Sequence, residues 1–353
     1  MTVLKLGSLF DGIGVFPLAA MHCGMEPVWA SEIEARPISI TKRHFPNMLH
    51  LGDITKISGA EVPPVDVITF GSPCQDLSQI GTRNGFVGKK SSLFYQAMRI
   101  IEEMRYATNG RYPAFTVWEN VAGAFSSNDR LDFAAMLSAF TGAEVSVPSR
   151  GWAHAGMVRG GRADTAWRLL DAQYWGEPAL AQRRKRVFVV ADFAGQRAGE
   201  VLFKPRTVLP FSTISGPGGL SATQRGGVPA AQTGRQVPIV RPFSLRRMRT
   251  MAQVGDQKGF CASFGRGGEP FPTLLASVTA PFSFWYEGEE QDGFLRVLTP
   301  LECERLMGLP ENWTKYGCKN EEISDHARYR ALGNSIALPC AEYVMAGIAE
   351  VMN

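Results

Sequence analysis

Val65-Asp66-Val67-Ile68-Thr69-Phe70-Gly71-Ser72-Pro73-Cys74-Gln75 is the stretch on which the fold turns. Residues 65–70 form a short run, apolar but for Asp66 and Thr69, and read as a buried strand of a parallel sheet. Gly71-Ser72-Pro73 then forces a turn, and Cys74 sits just past the carboxyl end of the strand. In open α/β sheets that edge is where ligands bind. Pro73 removes a backbone donor and narrows the local conformation. A nucleophilic cysteine must be a thiolate, so such a site has to lower its pKa with cations or a helix N-terminus. The plain alternative is a buried cysteine acting as a small hydrophobe. The turn position and the polar neighbours Gln75 and Asp76 favour reactivity.

The same alternation extends on both sides of this stretch. Residues 3–9, 27–31, 114–119, 168–173 and 186–192 read as further strands. Residues 15–24, a segment ending at Arg43, and residues 91–107 read as helices. In the last of these Leu93, Phe94, Ala97, Ile100, Ile101 and Met104 recur at helical spacing. The expected class is α/β, a mostly parallel Rossmann-like sheet with helices on both faces. A length of 353 residues allows two domains. After about Lys204 the character changes. Residues 212–236 are rich in Gly, Pro, Ser, Thr and Gln and read as loop or linker. Residues 241–249 form a basic run with Phe243, Leu245 and Met248 between the charges. The expected organisation is a first domain over 1–204, completed by 325–353, and a smaller, irregular, mostly β domain over 205–295. A helical connection over 296–324 joins them. Thr299-Pro300-Leu301-Glu302 has the form of a helix start, with N-cap, proline at the first position and glutamate at the third. Residues 336–351 read as a closing helix.

Composition narrows the class. The six cysteines (Cys23, Cys74, Cys261, Cys303, Cys318, Cys340) form no C-x-x-C pair, which argues against a thiolate zinc site, and no metal is expected. Their irregular spacing fits reduced thiols in the cytosol, with no signal peptide. No apolar run reaches membrane-spanning length. A net charge of +4 permits a polyanionic partner without demanding one.

Four further motifs carry chemistry. Phe10-Asp11-Gly12-Ile13-Gly14 closes the first strand and opens a helix, where glycines admit a ligand to the backbone and free N–H groups face an anion. Glu32 ends the second strand, at an offset suited to ribose hydroxyls. The alternative is a tight turn plus a surface acid. The last glycine of the dinucleotide fingerprint is missing, which points away from a nicotinamide coenzyme. In Gly52-Asp53-Ile54, Asp53 is placed to accept from an adenine amino group with Ile54 against the ring; taken alone, an Asp that starts a turn is the simpler account. Glu119-Asn120-Val121 follows a buried strand. A carboxyl there is costly unless paired, or neutral and hydrogen-bonded, and a raised pKa would let Glu119 donate. Asn120 as a helix cap is the alternative. In Gln182-Arg183-Arg184-Lys185-Arg186, residues 182, 184 and 186 share one face of a strand, able to aim guanidinium groups at a base or phosphate, or simply solvated.

Together, and in this order, these motifs resemble the DNA cytosine-5 methyltransferases of prokaryotic and phage type. The resemblance covers most of the chain. It implies S-adenosylmethionine as cofactor, held by Phe10, Asp11, Gly12, Ile13, Gly14, Glu32, Ile33, Asp53, Ile54, Gly71 and Pro73. Asn334 and Ser335 of a Gly-Asn-Ser element would complete that pocket. It implies Cys74 as nucleophile, Glu119 as acid, Arg186 on the base and Arg184 supporting the Cys74 region. Double-stranded DNA is the implied partner, with the target base flipped out. Contacts would come from Gln75, Ser78, Gln79, Arg83, Asn120, Gln182, Arg246, Arg247, Thr273 and Leu274, the last two being a Thr-Leu target-recognition element. A monomer in the cytoplasm is implied; a restriction endonuclease partner, a solitary role and a phage-borne role all fit. Val15 replaces a customary glycine, and residues 177–181 lengthen a customary junction. A tRNA cytosine-5 methyltransferase and a catalytically silent DNA-binding protein are the competing readings.

Overall fold

The computed structural model describes residues 3–72, 93–204, 239–242, 271, 273–274, 283–287 and 294–353. It divides into two units. The first comprises residues 1–170, 185–205 and 341–353, and the second residues 171–184 and 206–340.

The first unit is built on an eight-stranded sheet: β1 (Lys5–Leu9), β2 (Glu26–Ser31), β3 (Leu49–His50), β4 (Val67–Phe70), β5 (Phe115–Val121), β6 (Ala155–Arg159), β7 (Asp164–Asp171) and β8 (Lys185–Asp192). The spatial order is β3-β2-β1-β4-β5-β8-β7-β6. Strands β1 to β5 pair in parallel. Chain order reverses beside β1, which has β2 on one side and β4 on the other, so ligands are expected at the carboxyl ends there.

The alternating pattern gives each strand two faces. Leu9, Ile68, Phe70, Trp118, Val187 and Val189 belong to one buried cluster with α3 (Leu93–Ala107) and α4 (Leu131–Thr141), once α1 (Val15–His22) and α2 (Ala35–His44) have been counted. Phe94 anchors it, edge-on to Trp118 and Phe140. Leu6, Val67, Val117 and Val190, of the other parity, are buried on the opposite side. There α1 packs on β1 and β2. Gly7 is required by contact: a Cβ would stand 2.2 Å from the Trp29 ring.

Two expectations need correction. The strand at 186–192 exists, but it runs antiparallel to β5, and β6 and β7 are also antiparallel. A parallel return needs a crossover, usually helical, and residues 172–184 hold only the one-turn Ala172–Tyr174. The strand expected at 168–173 lies at Asp164–Asp171, and β6, an edge strand with alternating exposure, was not expected at all.

In the second unit β9 (Ile239–Pro242), β10 (Ser283–Glu287) and β11 (Phe294–Val297) form an antiparallel sheet. This places strands in the region expected to be mostly β. Helices α6 (Pro300–Leu306) and α7 (Asp325–Asn334) follow, after the short α5 (Ala198–Leu202) of the first unit, and α8 (Leu338–Met352) closes the chain. The expected helix start at Thr299 is a full capping box with Glu302. Residues 341–353 group with the first unit, and residues 296–340 with the second. Among the described residues no single helix is long and apolar enough to cross a membrane.

One buried ion pair organises the second unit. Glu304 is fully buried and accepts from Arg328 Nη2 at 3.0 Å, Thr314 Oγ1 at 2.5 Å, and the backbone of Asn312 at 2.7 Å and Thr314 at 2.9 Å. Removing one partner leaves a buried charge uncompensated, which costs about 3–5 kcal/mol. Arg328→Met is expected to lower unfolding free energy by about that much. The double variant Glu304→Gln/Arg328→Met should recover a substantial part. Urea unfolding of the three variants checks both statements.

Candidate active site

The carboxyl edge of the parallel strands gathers the first unit's polar residues. Glu119, near the end of β5, pairs with Arg186, near the start of β8, at 3.0 Å between Oε1 and Nε. The register explains the meeting. Arg186 lies opposite Val121 and Phe188 opposite Glu119, so Glu119 and Arg186 are diagonal neighbours on one face. They are only 12% and 14% exposed. Arg186 also donates from Nη1 to the Lys185 carbonyl at 2.9 Å. The expected acid Glu119 thus lies within ion-pair distance of the expected base-binding Arg186.

Gly71 lies against this pair. A Cβ built on it would stand 3.1 Å from Glu119 Oε2, so the glycine leaves room for the carboxylate. The next residue is fixed twice. Trp118 Nε1 donates to Ser72 Oγ at 3.1 Å, and Asn120 Nδ2 donates to the Ser72 carbonyl at 3.0 Å. Asn120 is buried and accepts from the Val121 N–H at 2.8 Å. It ties the end of β5 to Ser72, and it is not a helix cap. Pro73, Cys74, Gln75, Ser78, Gln79 and Arg83 lie outside the described residues.

The glycine turn after β1 is left-handed at Phe10 (φ 54°), Gly12 (φ 58°) and Gly14 (φ 78°). For Phe10 that conformation is strained. Gly14 is required by crowding, since a Cβ would meet the Phe45 ring at 2.8 Å; around Gly12 the Cβ direction is open for 4 Å. Ile13 and Val15 are buried, so Val15 is absorbed by packing at the start of α1. Glu32 holds the turn from β2. Its Oε2 accepts from the Gly12 N–H at 2.9 Å, and its Oε1 from the N–H groups of Ile33 at 2.7 Å and Glu34 at 2.9 Å. Ile33 beside it is 73% exposed, an apolar side chain on the surface at the strand edge. Asp53 does what the simpler account expects. It accepts from the Thr55 N–H and hydroxyl at 3.0 and 2.9 Å, which hold its carboxyl below the usual range. Ile54 is buried in the core cluster.

Asp11 differs from its neighbours. Both carboxylate oxygens are shut off from solvent and lack a hydrogen-bond donor among the described residues. Burial lifts its pKa to about 7; the nearby Ser8 hydroxyl opposes this and the Glu32 charge adds to it. Sequence reading placed Asp11 in the loop but missed the buried Ser8 hydroxyl beside it.

Arg184 belongs to the second unit and is 1% exposed. Its Nη1 donates to the Leu274 carbonyl at 3.0 Å, and its Nη2 to the carbonyls of Gly333 at 2.9 Å and Ser335. Its backbone N–H donates to Asp171 Oδ1 at 3.0 Å. One guanidinium therefore joins two elements that sequence reading treated separately. Thr273 donates its hydroxyl to the Arg183 carbonyl at 2.7 Å, and Leu274 is buried. Gln182 is buried and bridges to Phe271. Gln182 and Leu274 are thus buried within the unit, and Thr273 is half-buried. Asn334 is exposed at the end of α7. Arg246 and Arg247 lie outside the described residues.

The raised Asp11 pKa has a signed consequence. Between about 4 and 7 the native state keeps a proton that the unfolded chain has released, so stability falls as pH rises through that window. Asp11→Asn is expected to flatten the slope of unfolding free energy over that range. Denaturant titrations of both proteins at pH 4, 5.5 and 7 measure it.

The description "C-5 cytosine-specific DNA methylase" matches residues 4–205 and 243–350. Among curated relatives, a protein of Escherichia phage P1 named DNA N-6-adenine-methyltransferase is 24% identical over 463 residues. The match covers 98% of this chain and 61% of that protein, so the chain spans less than two thirds of that relative's length. Type II methyltransferase M1.ScrFI of Lactococcus lactis subsp. cremoris is 26% identical, with 99% and 78% covered. The crystal structure of the S. pombe Dnmt2 methyltransferase shares the fold, with a TM-score of 0.61 at 16% identity and 99% of both chains covered. With the glycine turn, the Gly71-Ser72 edge, the Glu119–Arg186 pair and the Arg184 clamp in that family's order, the chain belongs to the C-5 cytosine-specific DNA methylases.

Proposed function

We propose that this chain methylates C5 of cytosine in double-stranded DNA, using S-adenosylmethionine and a covalent Cys74–C6 intermediate. The Glu119–Arg186 pair at the carboxyl edge, with Gly71 against it, is the observation that carries the reading. Cytosine C5 is a poor nucleophile, so the ring must be activated before it accepts a methyl group. Cys74 Sγ, as a thiolate, bonds to C6 and pushes electron density to C5. Glu119 holds N3 and offsets the charge that develops there, and Arg186 binds O2. The cofactor, when bound, supplies the electrophilic methyl group. Loss of the C5 proton and departure of the Cys74 thiolate then restore the aromatic ring. The bonded atoms are unreachable inside stacked duplex, so the base is flipped out.

The cofactor fits the residues present. The open Gly12 turn admits a ligand to the backbone, Glu32 keeps acceptor capacity at the end of β2, and Asp11 offers a buried carboxylate without a counter-charge. Ile33 gives an exposed apolar surface next to Glu32, suited to a purine ring. Ser72, pinned by Trp118 and Asn120, fixes the start of the loop that carries Cys74. The duplex is held from the region of residues 205–295, with Arg246 and Arg247 on phosphates or guanine edges. The host role, whether beside a restriction endonuclease or alone, follows from the site that is methylated.

The name of the phage P1 relative raises adenine N6 as a second product. That exocyclic amine needs no cysteine adduct. Mass spectrometry of nucleosides from DNA of a host expressing this chain is expected to show 5-methylcytosine and no gain in N6-methyladenine, with bisulfite sequencing giving the recognition site. Transfer to tRNA but not to duplex DNA would reject the DNA reading. Cys74→Ala is expected to abolish methyl transfer while cofactor affinity stays within twofold, measured by tritium transfer and calorimetry. With duplex carrying 5-fluorocytosine, fluorine stands where the C5 proton would be and cannot leave as a cation after methyl transfer, so Cys74 cannot be eliminated and an adduct stable in denaturing gels is expected. Active enzyme without that band would rule out the covalent route.

A further inference from the structure

The first unit carries a buried carboxyl group to which the reaction steps described above give no specific part. Asp11 Oδ1 and Oδ2 are both inaccessible and without a donor among the described residues. The neutral Ser8 hydroxyl of β1 favours the charged form of Asp11 without supplying a counter-charge, and Ser8 and Thr69 of β4 are register partners whose hydroxyls are buried. The nearest named charge is Glu32, of the same sign. None of the described ion pairs involves Asp11 or Glu32. An isolated buried carboxylate costs several kcal/mol, and the strained Phe10 beside it adds to that cost. A fold keeps such an arrangement when something outside the chain compensates it. Around the adjoining Gly12 the Cβ direction is open for 4 Å.

We infer that Asp11 is the counter-charge for the cationic methionine end of S-adenosylmethionine, and so a positioning residue that selects charged over uncharged adenosyl ligands. The inference rests on the cofactor reading above and deepens it. The methionine end carries two positive groups, an ammonium and a sulfonium, and either supplies the missing charge. Neutral asparagine keeps the shape of the side chain and removes only the charge. A purely structural part for Asp11, as an anion near the start of α1, would touch all ligands alike.

The test is calorimetric titration of the full chain with S-adenosylmethionine, S-adenosylhomocysteine and 5′-methylthioadenosine, which carries neither charge. Asp11→Asn is expected to weaken S-adenosylmethionine at least tenfold and to leave methylthioadenosine within twofold. A matching loss for S-adenosylhomocysteine assigns the contact to the ammonium, and an unchanged value assigns it to the sulfonium. Asp11→Ser, with thermal melts of both ligand-free variants, separates charge loss from a folding defect. An unchanged S-adenosylmethionine affinity in either folded variant, or an equal loss for all three ligands, overturns the inference while leaving the cofactor reading standing. Failure of the wild-type chain to bind S-adenosylmethionine overturns both.

Discussion

The register between β5 and β8 is the constraint on which the candidate site depends. A carboxylate and a guanidinium meet at 3.0 Å because two antiparallel strands place Glu119 and Arg186 on one diagonal. Side chains alternate with a period of two, so a slip of one residue would turn one partner into the opposite face of the sheet. The register is held by burial on both sides: Trp118, Val187 and Val189 belong to one core, and Val117 and Val190 to the other. The apolar residues of these strands therefore specify the position of two charged ones. The charges do not hold the sheet together; the sheet holds the charges.

The same logic governs the β1 turn, with the opposite sign of local energy. Phe10 is strained, and Asp11 is buried without a counter-charge. Surrounding structure over-determines both. Asp11 N–H donates to the Ser31 carbonyl at 3.1 Å, Gly14 N–H to the Asp11 carbonyl at 3.2 Å, and Glu32 ties Gly12 from the neighbouring strand. The hydrogen-bonded frame tolerates a local conformation that would otherwise relax. Such turns serve ligands better than packing, because their polar groups are already oriented when a ligand arrives.

Legibility in the sequence followed the physics of each element. Strands β1, β2, β4 and β5 were readable because burial on both faces leaves continuous apolar runs, and α6 because its cap chemistry is local. The edge strand β6 was not, since Ala155-Gly156-Met157-Val158-Arg159 buries too little to show a pattern. The antiparallel course of β8 was invisible for another reason: residue patterns report faces, not directions. At the site, residue types were readable and roles were only partly so. Glu119 and Arg186 both sit at the edge, but that they neutralise one another depends on a long-range pairing. Asn120, Gln182 and Leu274 look from sequence like exposed contacts, and their burial could not be read from residue type.

Arg184 and Arg186 show how far one motif can divide its labour. They are two residues apart and share residue type, yet their partners differ in kind. Arg186 meets a carboxylate at a partly open edge, where a guanidinium can exchange one acceptor for another. Arg184 is closed in and donates to three backbone carbonyls. Carbonyls carry no net charge, so these three contacts act on the cation as dipoles in fixed positions, and a planar fork with several donors suits reaching all three. Each carbonyl belongs to a stretch far away in the chain, Leu274 on one side and Gly333 and Ser335 on the other. The Arg184 fork therefore converts three distant backbone positions into one rigid junction, which explains why Thr-Leu and Gly-Asn-Ser elements without obvious chemistry of their own carry so much of the motif pattern.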